Sequence, residues 1–258
     1  MENVLIVEFQ PLTKYRIGVC SFIGDREEQQ DYACICTDNN SLLAVVCDGM
    51  GGCSNGKAAS AAVVKTMYDC YKAYTSSQID QPAHFLRAAA SQGNKLVAQI
   101  LDGKVGGTTI VAAMIQNRQL YWFSAGDSRL YIYRAGALLQ VTRDHNYRLR
   151  LDELKKMDKI SDMQYEKEKT HWEELISYLG LGNLELYDLT LSGVNVVPGD
   201  VILLATDGLY KILDGVEIQK VLRSAQTGHE AANTLIDRVR EKQEILGRDN
   251  ATAAVIQI

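Results

Sequence analysis

The sequence has no surplus of positive charge. It contains 27 lysines and arginines against 32 aspartates and glutamates, which gives a net charge of -5 and a pI near 5.5. Binding along a nucleic-acid backbone requires basic groups that neutralise phosphates. We therefore expect no nucleic-acid partner.

The chain also lacks an apolar run long enough to span a bilayer. Its strongly apolar stretches, such as 201–205, are strand-sized, whereas a membrane helix needs about 20 such residues. Residues 1–9 contain Glu2 and Glu8 and show neither a basic region nor a small-residue cleavage site. We expect a soluble, cytoplasmic protein with no membrane partner.

Neither the cysteines nor the histidines show the spacing of a metal site. The six cysteines form no C-x-x-C pair, and Cys34, Cys36 and Cys47 lie in strand-like runs. Buried free cysteine behaves as a small hydrophobe, so we expect reduced thiols in the core. The histidines lack i,i+4 or other short metal-ligand spacing, which disfavours a zinc site.

The predicted strands and helices occur in groups rather than in alternation. Strands are predicted at 15–22, 31–37, 41–47, 108–116, 120–125, 129–134, 137–141, 201–204 and 251–258. Helices are predicted at 56–74, 82–101, 216–224 and 230–246. Asp38-Asn39-Asn40 supplies turn chemistry for a hairpin. Grouped elements favour an α+β fold, a four-layer α-β-β-α sandwich with two central antiparallel sheets, over a doubly wound parallel sheet.

One stretch departs from the rest of the chain in composition. Residues 143–174 are rich in charges of both signs, with apolar residues at roughly helical intervals. We interpret this stretch as a mobile surface flap, a subdomain at about 143–178. The sequence shows no internal repeat or linker, so we expect a single domain, 1–258, that includes the flap.

Acidic residues recur where apolar strands end. The pattern occurs in LLAVVCDGMGG ending at Gly52, YWFSAGDSR ending at Arg129 and VILLATDGL ending at Leu209, and Asp249 precedes the last strand. A single Asp-Gly pair is an ordinary turn. Several together on neighbouring strands would converge and repel unless a cation lies among them. Oxygen ligands without His or Cys predict Mg²⁺ or Mn²⁺.

Eight short motifs are spread along nearly the whole chain. They are Arg26 with Gln30-Asp31, Asp48-Gly49-Met50-Gly51-Gly52, Gly107-Thr108-Thr109, Gly126-Asp127-Ser128-Arg129, Thr142 to His145, Leu179-Gly180, Thr206-Asp207-Gly208 and Asp249-Asn250-Ala251-Thr252. In this order and spacing they resemble the metal-dependent protein phosphatase family, type 2C, in its bacterial form.

The resemblance implies a site with two Mg²⁺ or Mn²⁺ ions. Asp48 would bridge the ions, the carbonyl of Gly49 would join one of them, and Asp207 with Asp249 would hold the other. Asp31 would orient metal-bound water. A metal-bridged hydroxide would then attack phosphorus in line, without a phosphoenzyme.

The resemblance also implies a substrate-binding arginine. Arg26, near the end of the first predicted strand, would bind the phosphate through bidentate hydrogen bonds. Together with Asp48, Asp207 and Asp249 it forms the expected catalytic set.

The resemblance also raises the question of a third ion, because bacterial relatives bind one between two such aspartates and an acid four residues beyond the second. The corresponding positions here are Asp127, Asp207 and Lys211. Our hypothesis is that the Lys211 ammonium neutralises Asp127 in place of that ion. The alternative is that Lys211 points to solvent and Asp214 contributes instead.

Three departures from the family pattern affect the expected chemistry, and one residue that matches the pattern, His145, has no expected part in it. Gln30 replaces a glutamate, which leaves the site one negative charge lighter. Met50 replaces the histidine of animal relatives, so the leaving group would take its proton from water. Residues 177–180 differ from the usual end of the flap, so phosphopeptide contacts of relatives do not transfer. His145 lies on the route into the flap and is left out of the catalytic set.

The expected function is hydrolysis of phosphoserine and phosphothreonine in proteins. We expect the enzyme to be a monomer and its substrates to be phosphorylated by a cognate serine/threonine kinase. The alternative is a catalytically weak interaction module that binds a phosphoprotein or kinase. The set of aspartates argues against that alternative, because a pure binder has no use for metal ligands. A two-metal nuclease conflicts with the acidic composition.

Overall fold

The computed structural model describes residues 4–8, 15–38, 41–51, 55–74, 79–246 and 249–258. They form two β-sheets packed face to face, with helices on the outer face of each. The predicted α-β-β-α sandwich is confirmed. Four residues named in the predictions lie outside the described residues. They are Asn39 and Asn40 of the predicted turn, Gly52 of a motif and Cys53 of the predicted thiols.

The first sheet has the order β1-β3-β4-β6-β7-β10, with β5 pairing to β4 and β11 to β7. Its strands are β1 (Val4–Glu8), β3 (Asp31–Thr37), β4 (Ser41–Met50), β5 (Gly107–Thr108), β6 (Ile110–Gln116), β7 (Gln119–Ala125), β10 (Asp188–Leu189) and β11 (Val194–Asn195). Every pairing is antiparallel except β1 with β3, which is parallel. The predicted antiparallel arrangement is confirmed for this sheet, and the one parallel pairing belongs to β1, a strand that was not predicted.

The second sheet is antiparallel throughout, in the order β2-β13-β12-β8-β9. Its strands are β2 (Arg16–Phe22), β8 (Arg129–Arg134), β9 (Ala137–Gln140), β12 (Val201–Ala205) and β13 (Ala251–Gln257). β13, the latest of these strands in the sequence, thus lies between β2 and β12.

The outer layers are helical. The helices are α1 (Asn55–Ala73), α2 (Pro82–Leu101), α3 (Tyr147–Lys156), α4 (Asp162–Lys167), α5 (Asp207–Tyr210), α6 (Gly215–Ser224) and α7 (Gly228–Leu246), with a 3₁₀ turn at Glu168–His171. α1 and α2 cover the first sheet, and α5, α6 and α7 cover the second.

The central strands are buried on both faces, which explains their continuous apolar sequences. In β4, Leu43, Val45 and Cys47 pack against α1 and α2. The alternate residues Leu42, Ala44 and Val46 pack between the two sheets. Side chains of successive strand residues point to opposite faces, so one strand contributes to two cores. The five described cysteines are free thiols, and Cys34, Cys36 and Cys47 are fully buried.

The predicted flap is helical. Asn146 caps α3 by accepting a hydrogen bond from the Leu149 amide, and Ser161 with Gln164 forms a capping box at α4. These local caps explain why a charge-rich stretch forms helices. The proposed mobility of the segment stays a prediction.

The elements missed by the sequence prediction are short or lie at an edge. They are β1, β10, β11, α4 and α5. The predicted strand 108–116 is divided at Thr109 into β5 and β6. No helix of the described ranges has the length and apolar character needed to cross a bilayer.

Candidate active site

The predicted site aspartates come together where strands of the two sheets begin or end. Asp31 begins β3 and lies directly opposite Asp48 of β4 in the antiparallel register. Asp207 follows β12 and Asp249 precedes β13, and these strands also pair antiparallel. In an antiparallel pair, the end of one strand lies beside the start of its partner. The structure therefore places the four carboxylates at one edge of the sandwich.

A cleft of about 1250 Å³ opens over this edge. The predicted site residues that line it are Arg26, Asp48, Gly49, Asp127, Asp207 and Asp249. Among the described residues, its lining contains nine acidic side chains and two basic ones, Arg26 and Lys211. A phosphate group would be repelled by such a surface unless additional positive charge were bound there.

Asp31 is buried behind the cleft and is held by the second sheet. Its Oδ2 accepts hydrogen bonds from Thr206 Oγ1 at 2.9 Å and Thr252 Oγ1 at 2.7 Å. Its Oδ1 is buried and has no hydrogen-bond partner among the residues that the structure describes. Burial, and then the nearby Asp207 and Asp249, raise the pKa of Asp31 to about 7, although the two threonine hydroxyls act in the opposite direction.

Asp48 is positioned through its main chain. Its amide donates to Thr109 Oγ1 at 3.0 Å, and its carbonyl accepts from the Thr109 amide at 2.8 Å and from Thr108 Oγ1 at 2.9 Å. The side chain is therefore free to face the other acids. Burial, followed by Asp31 and Asp207, raises the pKa of Asp48 well above its ordinary value.

The next residue, Gly49, allows helix α1 to approach the site. A Cβ at Gly49 would lie 2.3 Å from the carbonyl oxygen of Gly56 and 2.7 Å from that of Gln30. No larger residue fits at this position without moving backbone. Packing thus accounts for the glycine, and its carbonyl remains a candidate ligand.

Arg26 lies in the cleft and pairs with one of the predicted ligands. Its Nη2 donates to Asp249 Oδ2 at 2.8 Å, and its side chain is 60% exposed. This places a guanidinium at the cleft where an incoming phosphate can reach it.

Lys211 pairs with Asp207, one turn away on α5. Its Nζ lies 2.9 Å from Asp207 Oδ2 and 2.9 Å from Glu173 Oε2. Burial disfavours the ammonium, but the two carboxylates raise the pKa of Lys211 above its ordinary value. The alternative that Lys211 points away into solvent is wrong. Asp214 does not replace it, because its side chain caps α6 by accepting from the Glu217 amide.

Asp127 lies in the turn between β7 and β8 and is 8% exposed. Tyr210 donates its hydroxyl hydrogen to the Asp127 carbonyl at 2.9 Å. Burial and Asp207 raise the pKa of the Asp127 carboxyl to about 7, and the charge of Lys211 partly offsets this. Lys211 thus acts on Asp127 through its field, while its ion pairs are with Asp207 and Glu173.

Gln30 and Met50, which depart from the family pattern, both lie at the cleft, and Leu179 and His145 support its surroundings. Gln30 accepts hydrogen bonds at its carbonyl from the Gly49 amide at 3.1 Å and from Ser60 Oγ at 2.5 Å. Met50 lines the cleft, and Leu179 pairs with Thr108. His145 is fully buried, and its Nδ1 accepts from the Gly126 amide at 3.2 Å. A buried imidazole in this position supports the turn that carries Asp127.

The donor set fits a hard divalent cation. Within the described ranges, no three His, Cys, Asp or Glu side chains are grouped closely enough to hold a metal ion as they stand, and Asp207 and Asp249 pair with Lys211 and Arg26. All candidate donors are nevertheless oxygens, and Asp31 has a buried oxygen without a partner. The acids also raise one another's pKa values. A Mg²⁺ or Mn²⁺ ion among them would relieve this repulsion.

Sequence reasoning missed the residues that support the aspartates. Thr206 and Thr252 were quoted in motifs without a role, yet both bind Asp31. Asn250 accepts from the Gln30 amide at 2.7 Å and donates to the Ile23 carbonyl at 2.7 Å, so it joins the start of β13 to the loop of Arg26. The signal available in the sequence was the threonine or asparagine that stands beside an aspartate, as in Thr206-Asp207 and Asp249-Asn250.

Comparison with known proteins shows similarity to one family over most of the chain. Residues 21–246 match the family profile described as Protein phosphatase 2C. The chain is 28% identical over 224 residues to the serine/threonine phosphatase Stp of Listeria monocytogenes, covering 85% of each sequence. It is 27% identical over 251 residues to the protein phosphatase PhpP of Streptococcus pneumoniae, covering 94% of this chain and 97% of that one.

Solved structures show the same fold. The PPM Ser-Thr phosphatase MsPP from Mycobacterium smegmatis, in complex with cacodylate, superposes with a TM-score of 0.74 at 28% identity. The catalytic domain of the serine/threonine protein phosphatase PstP, in complex with two manganese ions, superposes with a TM-score of 0.71 at 25% identity. Each comparison covers 94% of this chain and 97% of the other.

Proposed function

Since the chain belongs to the protein phosphatase 2C family and is a serine/threonine protein phosphatase, we propose that it hydrolyses its phosphoprotein substrates by direct attack of water, without a phosphoenzyme. The observation that carries the proposal is the convergence of Asp31, Asp48, Asp207 and Asp249 at one edge, beneath an open cleft. The excess of acid in that cleft calls for bound cations before a phosphate can enter.

The aspartates are the proposed ligands of two Mg²⁺ or Mn²⁺ ions. They would be held by Asp48 with the Gly49 carbonyl and by Asp207 with Asp249. Asp31 and Asp127 would complete the acidic surroundings. Bound there, the ions would activate the attacking water and offset the charge on the phosphoryl group. Asp31 is kept in place by Thr206 and Thr252, so its unpaired oxygen is available to orient that water.

Arg26 is the proposed phosphate-binding residue. Its guanidinium is exposed at the cleft and is held near the carboxylates by Asp249. A planar guanidinium donates two parallel hydrogen bonds to phosphate oxygens. We propose that Arg26 exchanges part of its contact with Asp249 for the substrate.

The leaving alkoxide would take its proton from water. Met50 lines the cleft where a proton donor would otherwise stand, and a thioether cannot donate.

We also propose that the enzyme acts as a monomer in the cytoplasm and has a role in signalling. Its substrates would be phosphorylated by a serine/threonine kinase.

The test is hydrolysis of p-nitrophenyl phosphate and of a phosphothreonine peptide in millimolar MnCl₂, MgCl₂ or EDTA. Turnover with either metal and its loss in EDTA is the expected result. Tight binding of the phosphopeptide without turnover would favour the interaction module instead. Acid quenching during turnover of a ³²P-labelled peptide tests the chemistry, because radioactive protein would show a phosphoenzyme.

A further inference from the structure

The ammonium of Lys211 joins two parts of the chain that are distant in sequence. It lies 2.9 Å from Asp207 at the start of α5 and 2.9 Å from Glu173, which follows the 3₁₀ turn. Asp207 is the more enclosed partner, with 19% of its side chain exposed against 76% for Glu173. Lys211 therefore forms a bridge from the bottom of the cleft to its rim.

The bridge also separates two clefts. Lys211 and Glu173 line both the main cleft and a neighbouring one of about 700 Å³, which lies beside α3. The segment that carries Glu173 is held to α3 through its main chain, because the Tyr147 amide donates to the Glu174 carbonyl at 2.8 Å. A movement of Lys211 that carried Glu173 with it would therefore act on a segment that is hydrogen-bonded to the start of α3.

Asp207 has two competing uses. It is a proposed metal ligand, and it is also the ion-pair partner of Lys211. An ammonium and a divalent ion that share one carboxylate repel each other, and the repulsion is appreciable where solvent is partly excluded. Metal binding therefore favours a Lys211 that moves away from Asp207 and toward Glu173.

From this geometry we propose that Lys211 is a positioning residue that competes with divalent metal for Asp207. Through Glu173 it couples metal occupancy to the placement of residues 168–175. The inference rests on the proposed function only in taking Asp207 as a ligand. Coupling of this kind is reciprocal, so the placement of the segment also sets the metal affinity.

The competition predicts opposite effects of two substitutions. Lys211→Met removes the competing cation while keeping the length of the side chain, so Mn²⁺ should bind at least about threefold more tightly. Glu173→Gln removes the alternative partner and leaves the ammonium on Asp207, so Mn²⁺ should bind more weakly. Lys211→Arg keeps the charge and should bind Mn²⁺ like the wild type.

The measurement is calorimetric titration of MnCl₂ into the full, chelator-stripped chain. Lys65→Met is the matched control, because Lys65 forms an i,i+4 pair with Asp69 on α1, away from the cleft. It should leave the Mn²⁺ affinity unchanged. Melting curves establish that each variant is folded, and Glu173→Gln carries the test alone if Lys211→Met does not fold.

Hydrogen exchange gives a readout of the coupling itself. In the wild type, saturating Mn²⁺ should change the exchange rates of residues 168–175, and in Glu173→Gln this change should be lost. A Lys211→Met protein that binds Mn²⁺ no more tightly than the wild type would overturn the inference, as would Glu173→Gln binding equal to wild type. If the wild type itself binds no Mn²⁺, the proposed function fails, which is a separate outcome.

Discussion

Asp31 and Asp48 are direct partners in the antiparallel register of β3 and β4. Like charges in this relationship destabilise a sheet, and here both side chains are largely withdrawn from water. The fold thus maintains an unfavourable pair of carboxylates that a bound cation would stabilise.

Removing either of two acids should abolish activity. We expect Asp48→Asn and Asp207→Asn each to lower kcat by at least about a hundredfold while the fold persists, because each removes a proposed metal ligand. Phosphopeptide turnover in MnCl₂ is the measurement. Asp69→Asn, an exposed acid on α1, is the control and should be fully active. Near-normal turnover of either site variant would refute the site.

Arg26→Ala should act mainly on substrate binding. The proposed role of its guanidinium is a contact in the ground state as well as in the transition state, so we expect KM to rise several-fold with a smaller change in kcat. Arg87→Ala, an exposed arginine of α2, should change neither. If KM and kcat of Arg26→Ala both equal those of the wild type, Arg26 has no role in binding.

Divalent metal should stabilise the native state. Mn²⁺ that binds the assembled aspartates and not the unfolded chain adds about 2.7 kcal/mol at a concentration of one hundred times Kd. The melting temperature of chelator-stripped protein should therefore rise with MnCl₂ concentration, and the rise should be much smaller in Asp48→Asn. A flat titration of the wild type would contradict the metal site.

The threonines that hold Asp31 should contribute to stability. Thr252→Val leaves a buried carboxylate oxygen with one donor fewer, which should cost about 1–3 kcal/mol of unfolding free energy in urea titrations. Thr190→Val is a matched control, because the buried Thr190 hydroxyl has no hydrogen-bond partner among the described residues. Equal losses in the two variants would show that the contact with Asp31 is unimportant.

Asp188 should make stability depend on acid pH. Burial acts against its carboxylate, but hydrogen bonds from His145 and Arg143 lower the pKa of Asp188 below its ordinary value. Because the folded pKa is depressed, its contribution is present above the unfolded pKa of about 4 and is lost as pH falls through the folded value. Asp188→Asn should therefore be less stable than the wild type at pH 7, and urea titrations should show the difference shrinking below about pH 4. A difference that stays constant with pH would exclude this origin.

Local patterns in the sequence predicted the parts of the site that lie in one strand or turn. Asp48 and Asp207 follow apolar runs, and the i,i+4 spacing of Asp207 and Lys211 predicts that they meet on one helical turn. The sandwich itself follows from the grouped strands and helices.

Contacts between distant residues were beyond the same reasoning. Thr206 and Thr252 reach Asp31 across 175 and 221 residues, and Glu173 meets Lys211 across 38. Each depends on how the two sheets and the charged segment pack, which short-range spacing does not specify. The parallel edge strand β1 was missed for the same reason, since a five-residue strand has too little periodicity to show its partner.

The position of β13 has a consequence for the order of folding. This strand lies between β2 and β12, and Thr252 and Asp249 enter the site with it. A chain emerging from the ribosome can pair β3 with β4 early, but its second sheet stays divided until residues 251–257 are available. Phosphatase activity should thus arise only after residues 251–257 have been synthesised, so that chains released before this strand is made are inactive toward phosphoproteins.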